Sequence, residues 1–175
     1  MSEFIVRAPR PEELDAVGAL TVAAYRADGF LEGDGEYEKE LADAARRAAE
    51  AELLVAVSAG GDLLGSVTVV RPGTAYAEVS REGELEFRML ATAPAARGRG
   101  VGEALIRAVV ERARQLGARQ VVMSSPDAMK AAHRLYARFG FTRLPERDWE
   151  PVPSFWIRTF ALDLYARSGA DPGTR

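Results

Sequence analysis

The 175-residue sequence predicts one α/β domain built on a mixed, mostly antiparallel sheet of about six to seven strands, flanked by about four helices. Apolar residues change between strand and helix spacing in the order β-α-α-β-β-β-α-β-α-β-β. The turn Ala59-Gly60-Gly61-Asp62 separates two apolar runs, which is typical of an antiparallel hairpin. No repeat or linker divides the chain. We therefore expect a single domain over residues 1–165 and a frayed tail over residues 166–175.

Each element follows from spacing and from its end signals. Strands are predicted where apolar residues alternate or run continuously, and helices where they recur every three to four residues. Pro9 follows the first strand, while Gly117 and Gly140 follow the last two helices. The predicted strands are residues 4–7, 53–57, 63–70, 84–92, 120–123, 141–144 and 155–164, and the predicted helices pass through residues 14–24, 37–51, 101–116 and 129–139.

Composition narrows the function classes. The chain has no cysteine and one histidine, His133, so thiolate chemistry is excluded and no metal site is expected. A net charge of −3 does not favour a nucleic-acid binder. The sequence shows no leader pattern and no apolar run long enough to span a membrane, so we expect a cytoplasmic protein without a membrane partner.

The segment Arg97-Gly98-Arg99-Gly100-Val101-Gly102 joins a strand to a helix and is the strongest signal in the chain. Glycines let the backbone approach a ligand, and free N–H groups at a helix start bind phosphate. Two arginines beside them suit a pyrophosphate. Three other binding motifs do not fit this segment. A dinucleotide-binding motif needs a glycine at the position of Glu103, and a P-loop needs a Lys-Ser/Thr pair that the segment lacks. An RNA-binding RG segment needs a basic surface, which the acidic composition does not favour. The spacing alone also allows these glycines to form only a tight connection between the strand and the helix, without binding a ligand.

This segment resembles the [Q/R]-x-x-G-x-[G/A] signature of the GNAT acetyltransferases. The strand Glu86–Thr92 followed by Pro94 is similar to the family's fourth strand, and residues 132–141 are similar to its A-x-x-L-Y-x-x-x-G-F block. The order of elements agrees over roughly residues 4–164. The resemblance implies the GNAT fold and an N-acetyltransferase that uses acetyl-CoA as cosubstrate.

The resemblance also implies where acetyl-CoA binds. The glycine-rich turn would hold the pyrophosphate through main-chain amides, and the fourth strand, splayed from the fifth, would pair with the pantetheine arm. The amide of Leu90 would polarise the thioester carbonyl. The implied cofactor-binding residues are Met89, Leu90, Thr92, Arg97, Gly98, Arg99, Gly100, Val101 and Gly102.

Two residues are candidates for the chemistry of transfer. Tyr136 matches the family tyrosine, and its phenol can protonate the departing thiolate. Its helical spacing is equally that of a core residue. Glu86 occupies a position where several family members keep a general base, but alternation on the strand also allows an ion pair between Glu86 and Arg88.

One position departs from the family pattern, because Met129 stands where the family often has asparagine. Ser124, Ser125 and Asp127 offer polar groups nearby, although Ser125 before Pro126 also fits a helix N-cap. His133 is expected to pack or face solvent.

The acceptor is not specified by these motifs. Acidic residues of the loop at residues 27–36 can attract a cationic amine or can simply be solvated. Trp149, Phe155 and Trp156 suit an apolar pocket, a dimer contact or the core. The resemblance leaves a homodimer through the last strands open. The alternative to an enzyme is a non-catalytic acyl-CoA-binding or sensing domain of the same fold.

Overall fold

The computed structural model describes residues 3–31 and 35–165. The predicted tail at residues 166–175 lies outside the described residues, as do the loop acids Glu32 and Asp34. Eight strands form the sheet: β1 Phe4–Arg7, β2 Glu52–Ser58, β3 Leu63–Val70, β4 Glu84–Thr92, β5 Gln120–Pro126, β6 Thr142–Arg143, β7 Trp149–Val152 and β8 Phe155–Asp163. Five α-helices flank it: α1 Leu14–Ala27, α2 Glu36–Ala42, α3 Ala44–Glu50, α4 Val101–Gln115 and α5 Lys130–Phe139.

The sheet has the strand order β1-β2-β3-β4-β5-β8-β6, and β7 also pairs with β8. Each neighbouring pair is antiparallel except β4 and β5, which run parallel. A parallel neighbour needs a crossover connection, and here α4 supplies it between β4 and β5. The predicted mixed, mostly antiparallel sheet is therefore confirmed.

The two faces of the sheet carry separate apolar clusters. The larger cluster packs α4 and α5 onto one face around Phe87, Leu105 and Tyr136, while a smaller cluster around Val17 and Val55 seats α1 on the other. Gly65 is required by this packing, because a Cβ there would lie 2.6 Å from Val101 Cγ1. The sheet thus lies between two helical layers.

Two parts of the fold differ from the prediction. The helix expected over residues 37–51 is broken at Asp43, whose ψ of 67° is not helical and whose carboxylate accepts a hydrogen bond from the Arg46 amide. An Asp that caps the second helix in this way ends the first one. The second difference is β7, which the prediction missed because Pro151 and Pro153 obscure its apolar alternation.

Candidate active site

β4 and β5 separate from each other in the middle of the sheet. Their pairing comprises three positions, Glu84 with Gln120, Leu85 with Val121, and Glu86 with Val122. Beyond Glu86, residues 87–92 of β4 stay paired with β3 on one side only. Residues 123–126 of β5 likewise stay paired with β8. The two strands therefore enclose a gap, the β4–β5 gap, in which unpaired main-chain groups face each other.

A β-bulge shapes the β4 side of the gap. Ser66 pairs with Ala91 and Thr68 with Arg88, so Met89 and Leu90 together face a single residue of β3. Met89 has a φ of 55°, in the left-handed region that residues other than glycine seldom adopt. A bulge re-aims the main chain that follows it. The expected binding residues Met89, Leu90 and Thr92 thus lie on one short, irregular segment at the gap.

The glycine-rich turn leaves its amides free. Gly98 and Gly100 have φ values of 78° and 80°, and a Cβ on either would meet nothing within 4 Å. The first helical bond of α4 runs from the Ala104 amide to the Gly100 carbonyl. Among the hydrogen bonds of residues 3–31 and 35–165, none uses the amides of residues 99–103. The start of α4 is therefore an open cluster of N–H donors, the arrangement that binds a phosphate group.

The two arginines of the turn have partners in the protein. Arg97 donates to both carboxylate oxygens of Asp28, at 2.5 and 3.0 Å, and to the Ala24 carbonyl at the end of α1. Arg99 lies 3.3 Å from Glu3. Both ion pairs are partly exposed, and such pairs contribute little to stability. The side chain of Val101 is buried in the core, so only its amide faces the turn.

Tyr136 lies in an aromatic cluster beside the gap. Its ring centroid is 5.9 Å from both Phe87 and Phe160 and 6.0 Å from Phe141, and the residue is 4% exposed. Burial raises the pKa of the Tyr136 phenol, which therefore stays protonated through the physiological range. Among the described residues, none forms a hydrogen bond with its hydroxyl. Tyr136 is thus a core aromatic residue whose hydroxyl is available to donate a hydrogen bond or a proton.

Glu86 is fully buried, and its carboxylate is surrounded by donors from the connection between β3 and β4. It accepts hydrogen bonds from the amides of Glu78, Val79 and Ser80 at 3.1–3.2 Å and from the Ser80 hydroxyl at 2.8 Å. Arg88 pairs instead with Glu78 and Glu40. Glu86 therefore anchors a loop in this structure, an arrangement different from the ion pair with Arg88 that alternation suggested.

The region around Met129 contains two buried polar atoms without a hydrogen-bond partner, Ser125 Oγ and His133 Nε2. The expectation that Ser125 caps a helix is wrong, because Ser125 belongs to β5 and α5 begins after Met129. Burial lowers the pKa of His133, with a further contribution from Lys130, so its imidazole is neutral at pH 7. Its ring packs 4.9 Å from Phe160, as expected of a packing residue.

The partners that organise this site are not marked by any motif in the sequence. Asp28 holds Arg97 from 69 positions away, and residues 78–80 reach Glu86 from a connection without a motif. Within the described part of the chain, no group of three or more His, Asp or Glu side chains is arranged to hold a metal. None of the helices in residues 3–31 and 35–165 has the length and apolarity needed to cross a membrane.

Comparisons with known proteins identify the fold and the family of the chain. Solved structures share the fold: a GNAT-family acetyltransferase from Staphylococcus aureus Mu50 has a TM-score of 0.73 at 11% identity, over 92% of this chain and 99% of its own. A GNAT-family acetyltransferase from Brucella melitensis, in complex with acetyl-CoA, has a TM-score of 0.62 at 24% identity over 94% and 90%. The yncA protein of Salmonella typhimurium, solved with its cofactor acetyl-CoA, has a TM-score of 0.64 at 19% identity over 98% and 100%.

No curated protein matches the chain by sequence. The model of the acetyltransferase (GNAT) family, however, matches residues 18–141, which is more than half of the chain. The sequence motifs, the β4–β5 gap and the free amides of the turn all fall within that match. The chain therefore belongs to the GNAT acetyltransferase family.

Proposed function

We propose that the protein is an N-acetyltransferase that transfers an acetyl group from acetyl-CoA directly to a primary amine, on a small molecule or on a peptide or protein, in the cytoplasm. The observation that carries this proposal is the juxtaposition of the β4–β5 gap with the open amides of the glycine-rich turn. The gap offers main-chain pairing to an extended arm, and the turn offers donors to a pyrophosphate. The two similar structures that contain acetyl-CoA support the choice of donor.

The turn fits a pyrophosphate through its main chain. The amides of Arg99, Gly100, Val101 and Gly102 are free, and the positive end of the α4 dipole adds to their attraction for an anion. Gly98 and Gly100 leave the approach open, since neither has a side chain. Arg97 lies beside these amides, and its charge is largely balanced by the ion pair with Asp28, so the main chain supplies most of the attraction.

Main-chain groups of Met89, Leu90 and Thr92 are the proposed partners of the pantetheine arm. The bulge at Met89 changes the direction of the strand just before Leu90, whose amide is the proposed donor to the thioester carbonyl. Acetyl-CoA supplies the activated acetyl group. The protein positions that carbonyl carbon within about 3 Å of the attacking nitrogen.

Tyr136 is the proposed acid that protonates the departing thiolate. Burial keeps the Tyr136 phenol protonated, so its proton is available to the sulfur as the C–S bond breaks. Glu86 is the other candidate from the sequence analysis. Its carboxylate is completely buried and bonded to residues 78–80, so we propose that its main contribution is to fix that loop beside the site.

We also propose that the β7–β8 hairpin contacts a second copy of the chain. Val152, Phe155 and Trp156 are large apolar residues that remain exposed at its tip, whereas Trp149 packs inward. Apolar exposure of this kind favours association. Light scattering of the wild type and of Phe155→Ser measures it: a dimer that the substitution dissociates supports the contact, and a monomeric wild type excludes it.

The test of function is acetyl-CoA consumption with free-thiol detection, across polyamines, amino acids, aminoglycosides and N-terminal peptides. Tyr136→Phe is compared with Tyr165→Phe, a matched loss of a hydroxyl at an exposed position outside the aromatic cluster. We expect turnover on at least one acceptor class and a fall in kcat of about 100-fold for Tyr136→Phe alone. Binding of acetyl-CoA without turnover on any acceptor would instead support the sensing domain.

A further inference from the structure

The connection between β3 and β4 presents a second glutamate whose carboxylate is within reach of a ligand. Three amides of this connection are bonded to Glu86, and the first of them is the amide of Glu78 itself. The Glu78 side chain is 34% exposed, whereas Glu86 is completely buried. The loop that Glu86 anchors therefore holds Glu78 at a defined backbone position with its carboxylate partly open to solvent.

Arg88 connects Glu78 to the strand that lines the β4–β5 gap. Its Nε lies 2.6 Å from Glu78 Oε1, its Nη1 lies 3.7 Å from Glu40, and it donates to the Tyr76 carbonyl. Arg88 immediately precedes the bulge at Met89. Because two carboxylates share this guanidinium, Arg88 keeps Glu40 as a counter-charge when Glu78 takes up a proton.

Two tyrosines connect this ion cluster with the proposed acid. The rings of Tyr25 on α1 and Tyr37 on α2 meet edge to face at 6.0 Å. Burial raises the pKa of Tyr25, and the nearby Tyr37 and Tyr136 hydroxyls add to the rise. Burial also raises the pKa of Tyr37, which interacts with Arg88 and Glu78. Ionisable groups thus extend from Tyr136 to Glu78 across the bulge segment of β4.

The surroundings of Glu78 make its carboxylate more basic than an ordinary surface glutamate. Burial raises the pKa of Glu78; Arg88 acts to lower it, and the charges of Glu86 and Glu40 raise it. The groups that face it are Arg88 and Glu86 from β4, Glu40 and Tyr37 from α2, and Tyr25 beside Tyr37 from α1. A base that holds its proton more firmly is better matched to an ammonium donor.

We propose that Glu78 binds the ammonium group of a cationic acceptor and removes its proton before attack. This inference rests on the proposed function and gives its acceptor class as a protonated alkyl amine. The ammonium loses one proton to Glu78, and the neutral nitrogen then bonds to the carbonyl carbon. As the C–S bond breaks, the thiolate takes the Tyr136 proton. The second nitrogen proton restores the phenol, and the Glu78 proton passes to solvent, so one proton is released per transfer.

The experiment measures kcat/KM for the best acceptor against pH, together with the Kd of acetyl-CoA, in the wild type, Glu78→Gln and Glu82→Gln. Glu82 is an exposed glutamate of the same connection and serves as the matched control. We expect Glu78→Gln to lower kcat/KM at pH 7 by about 100-fold, with an unchanged Kd for acetyl-CoA. The loss should shrink to about threefold near pH 10, where about a quarter of an alkyl amine is already neutral in solution.

A second variant separates a chemical role from a structural one. Glu78→Asp keeps the charge and the ion pair with Arg88 but withdraws the carboxylate by one methylene, so we expect a partial loss with the wild-type pH profile. Unchanged kcat/KM and pH profile in Glu78→Gln, or a loss of equal size at every pH, would overturn the role of Glu78 while leaving acetyl transfer intact. No turnover by the wild type would overturn the proposed function itself.

Discussion

The guanidinium of Arg47 donates a hydrogen bond to the sulfur of Met89, with Nη1 and Sδ 3.1 Å apart. Arg47 is completely buried on α3, and its second bond goes to the Leu41 carbonyl at the end of α2. Its Nε has no partner, and in the described part of the chain no carboxylate forms an ion pair with it. Burial lowers the pKa of Arg47. A costly buried cation thus joins the α2–α3 corner to the bulge of β4.

Truncation of Arg47 should therefore reduce the stability of the protein more than its replacement by an apolar side chain of similar length. We expect Arg47→Ala to lower the free energy of unfolding by about 3 kcal/mol, since it leaves a cavity and an unpaired Leu41 carbonyl. Arg47→Met refills the space and removes a buried charge, so the expected loss is about 1 kcal/mol. Urea unfolding measures both. Equal losses would show that volume is unimportant at this position.

Gly100 offers a test of the turn with a matched control at Gly73. Both residues have positive φ, 80° and 75°, and a Cβ on either meets nothing within 4 Å. Replacement by alanine should cost each about 1–2 kcal/mol of stability through backbone strain. Only Gly100→Ala should weaken acetyl-CoA binding, by about tenfold, because it alone alters the start of α4. Calorimetric titration of each variant with acetyl-CoA measures the Kd. Equal Kd values for the two variants would exclude the turn as the pyrophosphate site.

Loss of the Glu86 carboxylate should loosen the loop that it anchors. In Glu86→Gln an amide NH2 group faces backbone N–H donors, so we expect a loss of about 2–3 kcal/mol in unfolding free energy and faster proteolysis near residues 78–80. Glu82→Gln, in the same connection, should change neither. Limited proteolysis with mass mapping provides the measurement. Full stability combined with lost turnover would mean that Glu86 acts in the chemistry and not in the loop.

Glu84 makes part of the stability dependent on pH. Burial acts to raise the pKa of Glu84, but hydrogen bonds from Arg147, Gln120 and the Arg81 amide outweigh it and hold the pKa below its ordinary value. A carboxylate whose pKa is lower in the folded protein than in the unfolded chain stabilises the fold. The full stabilisation is present at pH values above the pKa of the unfolded chain, and it is lost as the pH falls through the pKa of the folded protein.

Glu84→Gln should consequently be less stable than the wild type by about 2–4 kcal/mol at pH 7, because it leaves Arg147 without its buried partner. The difference should narrow as the pH falls below about 5, where the unfolded chain begins to take up the proton, and on through the lower pKa of the folded state. Urea midpoints at several pH values measure the trend. Glu111→Gln, an exposed change on α4, should show no difference at any pH, and a constant deficit for Glu84→Gln would contradict the linkage.

Local patterns were sufficient to predict the parts of the fold whose causes are local. Alternation located β4 at residues 84–92, Gly60-Gly61 located the hairpin, and Gly140 marked the end of α5. The same patterns concealed the helix break, because Asp43 in a run of alanine, glutamate and arginine reads as helical until its side chain is seen to cap Arg46.

The partners of the site residues are set by tertiary contacts, which local sequence patterns do not predict. The sequence suggested Arg88 as the partner of Glu86 because the two lie on one face of a strand. The connection before β4 instead folds back and covers Glu86 with amides, which frees Arg88 to pair with Glu78. Arg97 likewise meets Asp28 only because α1 ends beside the turn.

The three residue pairs that join β4 to β5 also limit how far the proposed acetyl-CoA site can change its shape. The walls of the gap are strands held by β3 and β8, so its width follows from sheet geometry and not from a loop that has to close. A ligand that enters it loses its own conformational entropy but requires little ordering of the protein. Preorganisation of this kind places the adaptable part of the proposed acceptor site on the face of β4 that packs against α1, α2 and the loop of Glu78.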